Sequence, residues 1–436
     1  MASNVSRRRL LATGLRAASG LAILSRLNRV YAAAAPEELA QEEAFWKQIR
    51  LAYDRAPGIL NFNNGGVAPA PNSVLDEQIR LTRQSNRAPS YELWTVLEPQ
   101  LEAVRKRMAA TWAVDAEEIA ITRNATESLE TAELGLNLKP GDEVLITNQD
   151  YPRMINTWLQ RQRREGIVVK QLSLKVPVQR AADVVETYRR AITPRTRVLH
   201  CCHVINLTGE ILPVAQLCAL ARQHRLLSIV DGAHAIAHFP FTLAELGCDY
   251  YGASLHKWLS APIGTGVLYV RRPLIEHTWP LFGEWPGEDK NIRKFEEIGT
   301  HPAAPHNAIL EALDFYDALG HERKAARLQA LKMRWADRLL RQPGARLLAQ
   351  SCREHSCGVA TIDFPGVDPN WMQTQLWKQY KILVQEITHP EFRGTRVTPN
   401  VYNSFDEVDR FSAAMEQLLA QWRQQHAPAP AGTHSN

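Results

Sequence analysis

The chain has 436 residues, 45% hydrophobic and 22% charged, with a formal net charge of +5. That length exceeds one small core, and the composition excludes a disordered or fibrous chain. Residues 1–35 hold six arginines and no acid or lysine, so the remainder carries a net −1 and offers no basic surface for nucleic acid or an anionic membrane.

Ser6-Arg7-Arg8-Arg9-Leu10-Leu11 resembles a twin-arginine export signal, with Leu10 where Phe is usual. A modestly apolar region and alanines at 32–35 follow. Processing there would begin the mature chain at Pro36, in the periplasm, with the twin-arginine export machinery as a partner. No apolar run approaches the ~18 residues of a membrane-spanning helix, so no stable membrane anchor is expected.

The six cysteines fit neither a disulfide framework nor a zinc module, and no metal site is expected. In a periplasmic protein Cys352 and Cys357 are the local pair open to a disulfide.

Apolar spacing predicts a helix over 39–51, a short strand over 59–64 running into Gly65-Gly66, and helices over 73–84 and 101–112. A strand at 119–122 leads to Arg123-Asn124-Ala125-Thr126-Glu127. Small and polar residues at such a junction suit either an anion site or an ordinary helix cap. Strands at 143–147, 167–172 and 197–204 alternate with helices at 181–191 and 214–223, which predicts a doubly wound α/β domain with a mostly parallel sheet. Neither a G-x-G-x-x-G nor a P-loop pattern is present.

An apolar run at 226–230 stops at Asp231-Gly232-Ala233-His234, and a strand at 250–254 leads into His256-Lys257. Ligands of open parallel sheets bind outside the carboxyl ends of the strands, so both ionisable groups would face one crevice. A carboxylate and an amine placed this way suit pyridoxal phosphate: the amine forms a Schiff base with the aldehyde, and the carboxylate keeps the pyridine nitrogen protonated. A buried ion pair without cofactor is the alternative. Beyond a loop at 280–295 come helices from about 308 and over 322–340. Strands at 358–363, 382–387 and 396–398 then alternate with helices at 370–380 and 405–424 in a smaller α+β unit. The expected divisions are a signal over 1–35, an N-terminal segment packing on the small domain over 36–64, a large domain over 65–310, a small domain over 311–425 and a disordered tail over 426–436.

In order along the chain stand Asn-Asn-Gly-Gly (63–66), Asn-Ala-Thr-Glu (124–127), Tyr151-Pro152, Asn-x-Thr-Gly (206–209), Asp-Gly-Ala-His (231–234), Ser-x-His-Lys (254–257), Gly299-Thr300, and Arg396-x-Thr-Pro with Tyr402-Asn403. This set resembles the class V aminotransferase family of fold-type I pyridoxal-phosphate enzymes, in its isopenicillin-N-epimerase-like branch. The resemblance implies a homodimer. It makes Lys257 the Schiff-base lysine and Cα base, Asp231 the partner of the pyridine nitrogen, and His234 and Asn206 neighbours of the phenolic oxygen. Ala125, Thr126, Ser254 and His256 would cradle the phosphate, joined by Thr300 of a second subunit, and Tyr151 would lie over the ring. Asn64 and Arg396 would bind substrate, Arg396 gripping its carboxylate.

Cysteine desulfurases of this fold need a mobile cysteine shortly before that arginine, and 388–395 holds none. Transamination, epimerisation or racemisation, and β-elimination (C–S lyase) chemistry remain. The export signal combined with this fold resembles periplasmic siderophore-tailoring enzymes, which implies an amino group on a glutamyl-type side chain of a peptide-like metabolite. The alternatives are an amino-acid epimerase or lyase, or a pyridoxal-phosphate-binding sensor or scaffold without turnover. Intact Asp231, Lys257 and Arg396 argue against the last.

Overall fold

The computed structural model describes residues 21, 23–352 and 355–426. The twin-arginine motif and the tail from 427 lie outside the described residues.

The strands are β1 (Leu60–Asn61), β2 (Ile119–Thr122), β3 (Glu143–Thr147), β4 (Val168–Leu172), β5 (Thr196–Cys202), β6 (Leu227–Asp231), β7 (Tyr250–Ser254), β8 (Gly266–Val270), β9 (Arg346–Leu347), β10 (Ala360–Asp363), β11 (Ile382–Leu383), β12 (Gln385–Thr388) and β13 (Arg393–Val397). The large sheet has seven strands in the order β2-β8-β7-β6-β5-β3-β4. Pairings from β7 through β4 are parallel, and β8 runs antiparallel to both its neighbours. Successive side chains alternate between two apolar cores: Leu145, Leu199, Val230 and Tyr251 enter one, and Val144, Val198, Ile229 and Tyr250 the other. Helices on both faces explain why these strands read as unbroken apolar runs. β8, also five buried residues, adds a strand beyond those expected from the sequence.

Two other expectations are corrected. The helix expected over 39–51 divides into Pro36–Gln41 and Glu43–Arg50, because Glu42 leaves helical geometry and its carboxylate accepts the N–H of Ala44 at 3.1 Å. The strand expected over 382–387 divides at Val384, because β1 pairs with β11 while β12 pairs with β13. The chain after β1 also reaches β13's end, where Thr398 N–H donates to Phe62 O at 2.7 Å.

The second sheet is antiparallel, in the order β12-β13-β10-β9. Helices His321–Leu339, Pro369–Tyr380 and Phe405–Gln425 cover it through Trp335, Leu376 and Phe411. Helix Ile309–Leu319 instead packs on the large-sheet core through Ile309, Leu313 and Tyr316, so that core continues past residue 310. Among the described residues no helix is long and apolar enough to cross a membrane, and none of the His, Cys, Asp and Glu side chains group as a metal site. Cys352 is exposed, Cys357 is buried, and both are free, so the local disulfide is not formed.

Candidate active site

β5 and β6 end in step, Cys202 pairing with Asp231, while β7 pairs with Asp231 through Gly252 and runs on to Ser254. Their carboxyl ends form the floor of a cleft of about 730 Å³ whose other wall comes from β12 and Arg396. Gly232 is required here, since a Cβ on it would lie 1.9 Å from the Tyr251 ring.

Asp231 is 6% exposed, and its Oδ1 accepts the N–H of Ala233 at 2.9 Å. Burial raises its carboxyl pKa, while that N–H and the charge of Lys257 pull it back down. Lys257 Nζ lies 3.1 Å from His234 Nε2. Burial lowers the amine to about 8, against the pull of Asp231 and with the help of Arg396. Burial also pushes the His234 imidazole well down, so it is neutral beside the amine. An amine poised near 8 is suited to take and return protons at ordinary pH.

The helix Ala125–Gly135 begins at one end of the cleft. Asn124 caps it, accepting the N–H of Glu127 at 2.9 Å, and Ala125 N–H donates to Ser254 Oγ at 2.9 Å. Thr126 stands in the first turn, where backbone N–H groups lack intrahelical partners and attract anions. His256 lines the same end, its Nδ1 3.2 Å from Thr265 O. Tyr151, 39% exposed, stands just before helix Pro152–Glu165 and lines the cleft. Asn206 borders it from the loop after β5.

Arg396 projects from β13, 6% exposed. Its Nη1 donates to Asn206 O and its Nη2 to Asn63 Oδ1, both at 3.0 Å. Desolvation lowers its guanidinium to about 10, which still leaves it charged at neutral pH.

The structure brings together Ala125, Thr126, Tyr151, Asn206, Asp231, His234, Ser254, His256, Lys257 and Arg396, and leaves two expected residues outside. Asn64 is fully buried: its amide donates to Asn61 O and Thr398 O, and its Oδ1 accepts from Tyr402. The neighbour at Arg396 is Asn63. Strand alternation carried that signal, because Phe62 and Asn64 share the buried face. Thr300 is exposed and lines a separate hollow with Arg123 and Glu127, so within one chain it does not reach the cleft. The cleft also contains Cys202, which no motif marked. Burial, Asp150 and Asp231 hold its thiol well above the ordinary range, so it is no thiolate nucleophile.

Asn206 Oδ1, His234 Nδ1 and Arg396 Nε are buried polar atoms without a protein partner. Buried polar groups are ordinarily satisfied, so these three, with a carboxylate on the floor and a helix N-terminus at one end, fit a polar, phosphorylated ligand. Fold and side-chain set together define a fold-type I enzyme dependent on pyridoxal phosphate. The chain belongs to the aminotransferase class-V family, whose model matches residues 60–411. An isopenicillin N epimerase of Amycolatopsis lactamdurans is 31% identical over 392 residues, 86% of this chain and 98% of that protein. Another, of Streptomyces clavuligerus, is 28% identical over 87% of this chain and 99% of that protein. A cysteine desulfurase of Escherichia coli has the same fold, with a TM-score of 0.75 at 24% identity, covering 86% of this chain and 98% of that one.

Proposed function

We propose that this enzyme moves the Cα proton of an amino-acid moiety carried on a peptide-like metabolite, and that it is exported to the periplasm to do so. The observation that carries the reading is the shared cleft of Lys257 and Arg396, a proton-accepting amine facing a guanidinium whose Nε has no protein partner. Arg396 would grip the substrate carboxylate, and Lys257 Nζ would take the Cα proton from the moiety so held. Pyridoxal phosphate supplies the electron sink. Asp231 would hold the proton on its ring nitrogen, His234 and Asn206 would flank its phenolic oxygen, and Tyr151 would cover its ring. Ala125, Thr126, Ser254 and His256 would hold its phosphate, with Thr300 arriving from the second subunit of a homodimer.

The cleft of about 730 Å³ must hold both cofactor and substrate, and it lies within the range of roughly 300–1,000 Å³ for small-molecule sites. Export rests on the Ser6–Leu11 motif, and with it amino-group tailoring of an exported metabolite. Epimerisation is the second reading, favoured by the 31% identity to an isopenicillin N epimerase. Incubating the enzyme with peptide-like amino compounds, with and without a keto-acid acceptor, separates the two. Acceptor-dependent product marks amino transfer, and solvent deuterium at Cα with inversion but no acceptor marks epimerisation. A protein that does neither, and exchanges no Cα proton, contradicts the reading.

A further inference from the structure

Lys257 follows β7 of the large sheet and Arg396 lies on β13 of the small one, so proton transfer on a substrate held between them depends on what fixes their separation. One imidazole spans the join. His238 is 1% exposed. Its Nδ1 lies 2.8 Å from the carbonyl of His234, the residue whose Nε2 touches Lys257 Nζ at 3.1 Å. Its Nε2 accepts the N–H of Gly358 at 2.8 Å. A backbone carbonyl can only accept and a backbone N–H can only donate, so the ring carries its proton on Nδ1 and its lone pair on Nε2. The same ring stacks on Trp258, the residue after Lys257, with centroids 3.7 Å apart and planes at 25°.

Gly358 leads into β10, where Thr361 lies opposite Arg396 of β13. A Cβ at Gly358 would stand 3.0 Å from His238 Nε2 and 3.0 Å from Leu328 Cβ, so this close approach is built around a glycine. One path of short contacts therefore runs from the amine through His234, His238 and Gly358 to the strand pair that bears the guanidinium.

We propose that His238 is a positioning residue that sets the Lys257 amine against the Arg396 guanidinium by joining His234 and Trp258 to the start of β10. It does not line the cleft. The inference rests on the roles proposed above for Lys257 and Arg396.

Two substitutions divide the polar path from the ring. His238→Phe keeps a ring against Trp258 and removes both hydrogen bonds, whereas His238→Gln offers a donor and an acceptor without the ring. If the path sets the geometry, His238→Phe lowers kcat by about ten- to a hundred-fold, as expected for reacting groups displaced by a fraction of an ångström. His238→Gln recovers to within about three-fold of the parent. The pH midpoint of the bound cofactor's absorbance change should move in His238→Phe and stay in His238→Gln, a readout that needs no turnover. Pyridoxal phosphate affinity of the cofactor-free proteins, followed by fluorescence, stays close to the parent in both. Parent-like kcat and midpoint in His238→Phe, or equal impairment of both variants, overturns the proposal. If His238→Phe does not fold, His238→Gln decides alone: loss of ten-fold or more in kcat, by the same measure, rejects the path. If the parent itself exchanges no Cα proton with any substrate, the roles of Lys257 and Arg396 fail, and the absorbance midpoints still test His238.

Discussion

Arg396 Nη2 donates to Asn63 Oδ1 at 3.0 Å, across the junction where the chain after β1 meets β13. The bond uses one edge of the guanidinium and leaves Nε without a protein partner. Replacing Arg396 by Gln should lower kcat/KM about ten- to a hundred-fold, the worth of a charge-assisted hydrogen bond. The loss should fall chiefly on KM. An amine analogue lacking the carboxylate should respond equally to parent and variant. Asn63→Ala should give a smaller loss of the same kind, since it only orients the guanidinium. Asn64→Ala should lower Tm instead, because its amide holds Asn61 and Thr398. Steady-state kinetics beside thermal melts check all three, and an unchanged KM in Arg396→Gln would contradict the carboxylate grip.

Lys257 is the group whose loss is least compensated. Lys257→Ala should remove the borohydride-reducible link between protein and cofactor and cut Cα proton exchange by about 10²–10⁴-fold, the usual contribution of a positioned base. Burial has lowered its amine to about 8, so the proton-accepting form grows as pH rises through that value. The cofactor-free protein should show this titration by NMR of a labelled lysine. A value near that of a free lysine would mean that the amine is not desolvated as the structure places it.

Much of this site can be read in the chain before any coordinates, and the remainder fails for physical reasons. β7 falls where the apolar run placed it, and β6 within a residue, because a buried parallel strand is a short apolar run that ends where ionisable residues enter the cleft. The division at Val384 is invisible locally, since it depends on where β1 inserts, more than 300 residues earlier in the chain. Asn63 and Asn64 differ only in the face they turn, which needs the register of a two-residue strand. His238 acquires its place from Trp258 and Gly358, and no motif couples the three. Thr300 is exposed, and among the described residues no hydrogen bond to another residue defines its place.

Two buried lysines and the half-buried Lys257 make stability depend on pH in a calculable direction. Lys324 is 4% exposed, its Nζ donates to Trp258 O, and burial lowers it to about 7. Burial lowers Lys332 to about 8, and Lys257 likewise. Each native pKa lies below that of the unfolded chain. Above the native value the unfolded chain binds a proton that the folded chain does not, so stability rises with pH until the unfolded lysine titrates near 10.4. Lys324→Met should remove about 2 kcal/mol of the rise between pH 7 and 9. Urea unfolding of cofactor-free parent and variant at both pH values measures it, and identical pH slopes would show that Lys324 does not titrate in this window.

The proposed export would set a demand that the N-terminal contacts can meet. Leu24 and Leu27 are buried, Tyr31 packs on Phe45 with ring centroids 5.4 Å apart, and Asn28 Nδ2 donates to Ala318 O at 2.8 Å. Processing at 32–35 would remove all of them. Burying a leucine contributes about 1.5–3 kcal/mol, so two leucines and a tyrosine contribute several kcal/mol at most. Ordering the residues from 23 to 35 costs roughly 1–2 kcal/mol each, which offsets that gain. The contacts that bind the rest of the N-terminal segment survive, because Arg327 Nη1 donates to Ala40 O at 2.9 Å and its guanidinium lies 5.2 Å from the Trp46 ring. A chain beginning at Pro36 should therefore fold, bind pyridoxal phosphate and melt within about 5 °C of the full chain. Protein recovered from its native periplasm should begin between residues 33 and 36. An intact Met1 or Ala2 there would contradict export, and a truncated chain that cannot fold would show that residues 23–35 belong to the working enzyme.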